Sequence, residues 1–385
     1  LTDGITAYVQ GTYTRTTNGY PFIQYLFAPV LAFKDNPYLA PSAQATLTAI
    51  DPSSPVIAVG KFLSEQIGID SRTDSYFVNG GLKGELLDGR LDWDFSYTNA
   101  RTEQRTASQF NVNNEKLAAA SDAVSGPGGN IVCRITLIDA ARFPGCVPLN
   151  VFGIGSVTPE ALDFVTDETQ YSLVQTMDDF NATVTGSLVD LPAGPLKFAM
   201  NAEHRRATLD LVSNAQPLDT VDCTNLFLCT PGATQHQFNV VADATGRQNV
   251  TEGAAEINIP ILVDRPVFYS LSLSGAARYT HYSTSGGVTT WKVGGDWEPI
   301  EGLRFRATRS RDIRAPNLNE LFAPTNTSPR SFADVHVEGG GSGQSTIIET
   351  GGNPDLKPEK ADTFTTGVVF SPKWLPRFSI AVDYY

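Results

Sequence analysis

From Leu91 the chain reads Leu-Asp-Trp-Asp-Phe-Ser-Tyr-Thr, apolar and polar in strict alternation. On an extended chain Leu91, Trp93, Phe95 and Tyr97 fall on one side, and Asp92, Asp94, Ser96 and Thr98 on the other. Only a β-strand repeats its side chains every two residues, so this segment must be a strand with two unlike faces. The same alternation returns along the whole sequence. It predicts strands over Ile5 to Thr16, Ser71 to Glu85, Thr169 to Val189 and Val267 to Ser283. Shorter runs carry it around Phe198, Ile257, Trp291, Phe305, Phe364 and Ile380, giving about eleven strands in all. Leu87-Asp88-Gly89-Arg90 closes one hairpin, because Asp-Gly accepts positive φ.

The connections between these strands alternate in length. Long intervals follow the first, third, fifth and ninth strands, and most of the others are short turns. Antiparallel neighbours joined in this way put the long loops at one end of a sheet and the turns at the other. Transmembrane β-barrels have that asymmetry. A soluble β-sandwich or jelly roll also alternates and is the competing reading. Its strands are usually shorter, and its loops are short at both ends.

Composition narrows the classes. Charged residues make up 18%, with 33 Gly and 24 Pro, which suits a β-protein with long loops. A net charge of −13 argues against nucleic acid, whose phosphates need a positive surface. No run of eighteen apolar residues encodes a transmembrane helix. The most apolar run, Tyr25 to Phe33, is broken by Pro29. That leaves a barrel open, because barrel strands are short and alternate. No signal peptide is visible at Leu1, so a preceding segment is expected.

The four cysteines fall in two local pairs, Cys133 with Cys146 and Cys223 with Cys229. Four cysteines allow three connectivities, and four free thiols are the alternative. The local pairing is expected, since both pairs lie inside long loops, and it implies an oxidising compartment. Helices are expected within the first of those loops, at Lys116 to Ala123 and Pro159 to Val165.

Another long interval runs from Arg314 to Glu359, beyond the usual loop length and therefore expected to be functional. It opens with Arg314, Ala315, Pro316, Leu318, Glu320, Leu321 and Phe322. It closes with Gly352, Asn353, Pro354, Leu356, Lys357, Pro358 and Glu359. Pro354 and Pro358 fix their own φ and hold the return extended. The two runs, in this order, resemble the motifs R-A-P-x-L-x-E-L-F and G-N-P-x-L-K-P-E of TonB-dependent outer-membrane receptors. Three further likenesses, DNPYLAP at 35–41, CVPLNVFG at 146–153 and Ala161-Leu162-Asp163-Phe164, extend the resemblance over nearly the whole chain.

The resemblance implies an all-β chain, an antiparallel transmembrane β-barrel with long extracellular loops and short periplasmic turns. This chain would be part of a 22-stranded barrel, with a plug domain and the closing strands outside it. It also implies the outer membrane of a Gram-negative bacterium. The expected partners are membrane lipid, a TonB complex reached through an upstream region, and a scarce ligand. Ferric siderophores, other metal chelates, haem, cobalamin, oligosaccharides and peptides all stay open, with a slight lean to iron chelates or sugars. A plugless porin, a surface enzyme or adhesin, and a soluble binding module are the alternatives.

We find no catalytic constellation in the sequence. His204, His236, His281 and His336 are scattered, and neither G-x-S-x-G nor H-E-x-x-H occurs. No cofactor or metal ligand set is expected. The Gly339 to Gly343 run reads as a flexible loop tip. Arg304 and Arg306 share a strand face and are expected to pair with Asp296 and Glu298 on the neighbouring strand. Arg314 and Glu320 are expected to fix the loop base. Tyr20, Phe22, Tyr25 and Phe27 form an aromatic cluster in the first long interval, suited either to stacking on a ligand or to packing that loop.

Overall fold

The computed structural model describes residues 4–238, 240–332, 336 and 344–385; within its strands, the side chains of 22–29, 62–67, 326–332 and 344–347 are left aside. Strand β1 (Ile5–Phe33) leads through helix α1 (Pro41–Ile50) into β2 (Val56–Leu86), which turns back as β3 (Leu91–Val112). A long loop then holds α2 (Asn114–Ser121), the small pair β4 (Ala123–Ser125) and β5 (Ile131–Cys133), α3 (Arg134–Ile138) and α4 (Pro159–Val165). Strands β6 (Thr166–Leu191), β7 (Gly194–Ser213), β8 (Ala244–Arg265), β9 (Phe268–Tyr282), β10 (Gly286–Ile300) and β11 (Leu303–Arg314) follow. After α5 (Leu318–Phe322) come a small hairpin, β12 (Asn326–Phe332) with β13 (Gln344–Thr350), and then β14 (Glu359–Phe370) and β15 (Ile380–Tyr384).

Eleven of these strands form one sheet in the order β1-β2-β3-β6-β7-β8-β9-β10-β11-β14-β15, each antiparallel to its neighbour. Among the described residues the end strands β1 and β15 do not pair with each other, so the ring does not close. The expected turn at Leu87 to Arg90 is present, with positive φ at Leu87, Asp88 and Gly89.

Register puts the apolar positions on one face. Ala7, Leu82, Phe95, Ala182, Ala202, Gly253 and Tyr279 form one continuous row across seven strands. Leu271, Trp297, Phe305, Val368 and Val382 form another. This face is open: Val9 is 79% exposed, Met200 56% and Val382 61%. The opposite face is the covered one. Buried strand residues such as Thr98, Leu209, Leu211, Val250, Thr280 and Tyr282 all lie on it. An exposed apolar face backing a covered polar one is the reverse of a water-soluble sheet. On β2 the apolar face runs from Leu86 to Tyr76, ten steps of roughly 3.3 Å. At a tilt of about 40° that is roughly 25 Å of height, the band a bilayer requires.

Two expectations are corrected here. The first strand does not end near Thr16, nor does a loop run to Asp70; β1 and β2 stay paired out to Phe33 opposite Val56. Pro21 and Pro29 are absorbed at register shifts, where a missing N–H breaks no ladder. The long Arg314 to Glu359 interval is not wholly irregular either, since it contains α5 and the β12–β13 hairpin. The Gly339 to Gly343 run lies outside the described residues.

Candidate functional site

The two proline-bearing runs are the two halves of one clasp. Asn317 and Glu320 form a capping box at α5, with Asn317 Oδ1 accepting from Glu320 N at 2.9 Å and Glu320 Oε2 accepting from Asn317 N at 2.9 Å. The other Glu320 oxygen accepts from Arg314 Nη1 at 2.8 Å. Arg314 also donates to Glu359, its register partner on β14, at 2.6 and 3.2 Å. One guanidinium thus ties the loop's exit to its return. The hydrogen bond to the Asn317 backbone, with Arg314 behind it, holds the Glu320 carboxyl below its usual range. Gly352 sits against the end of α5, where a Cβ would lie 2.6 Å from the nitrogens of Phe322 and Ala323. Its N–H donates to Ala323 O at 2.8 Å, and Asn353 N donates to Glu320 O at 2.8 Å. Leu321 is buried, and the Phe322 ring covers Gly246 on the polar face. The expected loop-base role of Arg314 and Glu320 is met. Ala315 packs partly buried beside Val250, Tyr282 and Val288.

The remaining long loops fold into a cap with its own core. Val30, Ala32 and Ile69 from the long ends of β1 and β2 meet Val112, Ala120, Leu149, Val151, Ala161, Leu162 and Val165. This explains the other sequence likenesses physically. Leu149 and Val151 of CVPLNVFG alternate into this core, and Ala161 and Leu162 enter it from α4. Asn36 of DNPYLAP is buried and donates from its side chain to Ser121 O at 3.3 Å, docking the first loop on α2. At the cap's base Asp167, on the part of β6 beyond the apolar band, accepts from His236 Nε2 at 3.0 Å, Lys116 Nζ at 2.6 Å and Asn113 Nδ2 at 2.8 Å. The His236 contact, with Lys116 and Asn113 adding to it, holds this carboxyl far below its ordinary value.

Both disulfides form as the local pairing expects, Cys133 with Cys146 and Cys223 with Cys229. They meet in a second cluster with Ala118, Ala119, Ile135 and Leu226; each bridge closes its own loop, and the apolar contacts between them join the two loops into one body. Beside them opens a pocket of about 920 Å³, lined by Phe33, Lys34, Gln44, Arg134, Leu137 and Phe227 among others. That volume suits a small-molecule ligand. Arg134 stands between two rings, 5.1 Å from the Phe33 centroid and 5.9 Å from that of Phe227. Its Nε donates at 3.0 Å to both oxygens of Asp122, a buried carboxylate. Burial pushes the Asp122 carboxyl up, and Arg134 opposes that push. Phe227 is 61% exposed, so an apolar ring stands free at the mouth.

Sequence reasoning missed this pocket, although signals for it were present. Arg134 follows Cys133 directly, and Phe227 lies between Cys223 and Cys229. The aromatic residues expected in a loop lie on a strand instead. Tyr20 lies on β1 opposite Ile69 and is exposed; Phe22, Tyr25 and Phe27 belong to the same strand, and their side chains lie outside the described residues. Arg304 pairs with Glu298 as expected, at 3.7 Å. Arg306 does not pair with Asp296; it grips Asp383 on β15 at 2.8 and 2.6 Å. The intervening partner on β14 is Gly367, which has no side chain to block that reach. His204 contacts Thr251 at 2.8 Å, and among the described residues no group of His, Cys, Asp or Glu is placed to hold a metal.

An arc of tall antiparallel strands, apolar outside, polar and loop-capped inside, is the wall of a transmembrane β-barrel. The family model described as TonB dependent receptor-like, beta-barrel matches residues 5–385, and the chain belongs to that family. Membership places it in a Gram-negative outer membrane. Solved structures similar to it include the RagAB peptide importer in its open-open state, at 14% identity and a TM-score of 0.46 over 82% of this chain and 29% of that one. The siderophore receptor PirA from Acinetobacter baumannii matches at 11% and 0.44 over 81% and 34%. A mutant of the ferric enterobactin receptor PfeA from Pseudomonas aeruginosa matches at 12% and 0.41 over 99% and 51%. The chain therefore spans about half or less of the solved proteins it matches, and the assignment rests on the family match.

Proposed function

We propose that this chain is barrel wall and ligand-capturing cap of an outer-membrane importer. The ring would be completed to 22 strands by the rest of the protein, which would also supply a plug and the segment that engages the inner-membrane TonB complex. The observation that carries the reading is the cap: three long loops share apolar cores, two of them are braced by internal disulfides, and a pocket opens beside them. A cap of this kind serves capture of a scarce ligand better than free passage. Siderophores, other metal chelates, oligosaccharides and peptides remain the ligand classes in view. Transport asks no bond chemistry of these residues, and we assign the protein no reaction.

The test is uptake. In cells carrying the full-length gene, growth on the limiting nutrient should be lost on deletion of the gene and also on loss of TonB. Screening across iron-limited and single-carbon media identifies the nutrient. Growth that needs the gene but persists without TonB would identify a passive porin and overturn the proposal.

A further inference from the structure

A second surface lies on the outward face, where β1, β2 and β3 leave the apolar band toward the long loops. Tyr13 and Tyr76 are register partners at the top of that band. One row further out stand Arg15, Asp74 and Glu103; the next row holds Arg72 and Arg105, and Arg101 lies beside Tyr76. All share the parity of Val9, Leu82 and Phe95, so they face the membrane side and not the lumen.

The pairing within this patch is unbalanced. Asp74 accepts from Arg15 Nε at 2.6 Å and from Arg72 Nε at 2.7 Å. Glu103 accepts from Arg105 Nε at 2.8 Å and from Arg101 Nη2 at 3.3 Å. With Asp70 on the same face two residues from Arg72, four guanidinium groups stand against three carboxylates, which leaves a local charge of +1 (4 − 3) in a chain of net −13. A guanidinium has five N–H donors, and each arginine commits only one or two to its carboxylate. The four side chains keep 40 to 74% of their surface free. The Tyr13 hydroxyl donates to Asp74 at 2.6 Å, and Arg15 lies over the Tyr13 ring, which fixes the patch to the aromatic boundary. Aromatic belts mark the membrane–water interface, so the residue rows just beyond them sit at headgroup depth.

We propose that Arg15, Arg72, Arg101 and Arg105 form a docking site for a lipid headgroup bearing phosphate groups, of the kind the outer leaflet's phosphorylated glycolipid presents. Arginine forks match phosphate oxygens with two parallel bonds, and the four guanidinium groups here keep uncommitted N–H donors on an exposed surface. The two paired carboxylates then act as spacers that hold four like charges together until lipid arrives. The inference rests on the membrane placement of the sheet and not on import.

The test uses full-length protein in phosphatidylcholine nanodiscs and native mass spectrometry of bound lipid. Bisphosphorylated lipid A should be retained, and the same lipid stripped of its phosphates should not. Arg72→Gln/Arg105→Gln should lower retention about thirtyfold, two basic contacts having been removed. Heat-modifiable gel mobility checks that the barrel is intact; if the pair fails to fold, Arg105→Gln alone, which leaves Glu103 paired with Arg101, should still give a reduced signal. Equal retention of the stripped lipid, unchanged retention in a folded variant, or displacement by an equal concentration of inorganic phosphate would each overturn the site. A folded variant that loses lipid while importing normally would support it and leave the transport proposal untouched.

Discussion

The strongest consequence of the cap's construction concerns the Cys133–Cys146 bridge. It closes a segment with a sequence separation of 13 around a fully buried Cys133. Replacing both cysteines by alanine returns that segment's freedom to the open state. For a loop of about fourteen residues the chain-entropy estimate is about 3 kcal/mol, which raises the open population by a factor of roughly 150. The shorter Cys223–Cys229 loop, with a separation of 6, gives about 2.4 kcal/mol by the same estimate. The two losses should couple, because Leu226 packs in one cluster with Cys133 and alongside Cys146 and Cys229. Hydrogen–deuterium exchange on the full-length protein reads this directly. In Cys133→Ala/Cys146→Ala, peptides over α2, α3 and the 223–229 turn should exchange on the order of a hundred times faster, while β9 and β10 should keep wild-type protection. Exchange in the cap that rises less than about fivefold, or that rises equally in the wall, would refute the claim that these loops form a separate stapled body.

Two further outcomes follow from the geometry. Gly352→Ala drives a methyl group into backbone atoms at the end of α5, so it should loosen the clasp by about 1–3 kcal/mol. Limited proteolysis should then cut between 323 and 351, whereas Gly253→Ala, whose nearest contact would be 4.0 Å away, should resist as wild type does. Asp167 has a depressed folded pKa, so its stabilisation of the cap is complete above the unfolded carboxyl value near 4 and is lost as pH falls below it toward the folded value. Exchange in the 236–238 segment should therefore quicken below about pH 4 in wild type; Asp167→Asn should be quick already at neutral pH and show no acid step.

Why some of this was legible and some not follows from distance along the sheet. Alternation reports a face, and faces are local, so Leu91 to Thr98 declared its two sides without help from any partner. The local cysteine pairs and the Arg314–Glu320 contact span few residues and were equally open to reading. The length of β1 was hidden because Pro21 and Pro29 signal an ending to any local rule, and only the partner strand shows where a bulge absorbs them. Arg306 shows the same limit in a side chain. Its nearest-strand acid, Asp296, is opposite it in register, yet the ion pair forms with Asp383, two strands away. A Cβ on Gly367 would lie 2.0 Å from Asp383 Oδ1, so the pair exists only because that residue is glycine. The pocket is the extreme case, since Phe33, Arg134 and Phe227 are brought together by three loops and two disulfides. The more a feature depends on what a neighbouring strand lacks or a distant loop supplies, the less a linear pattern can report it. In this chain the wall is written locally, and the capture surface is written in the contacts between loops.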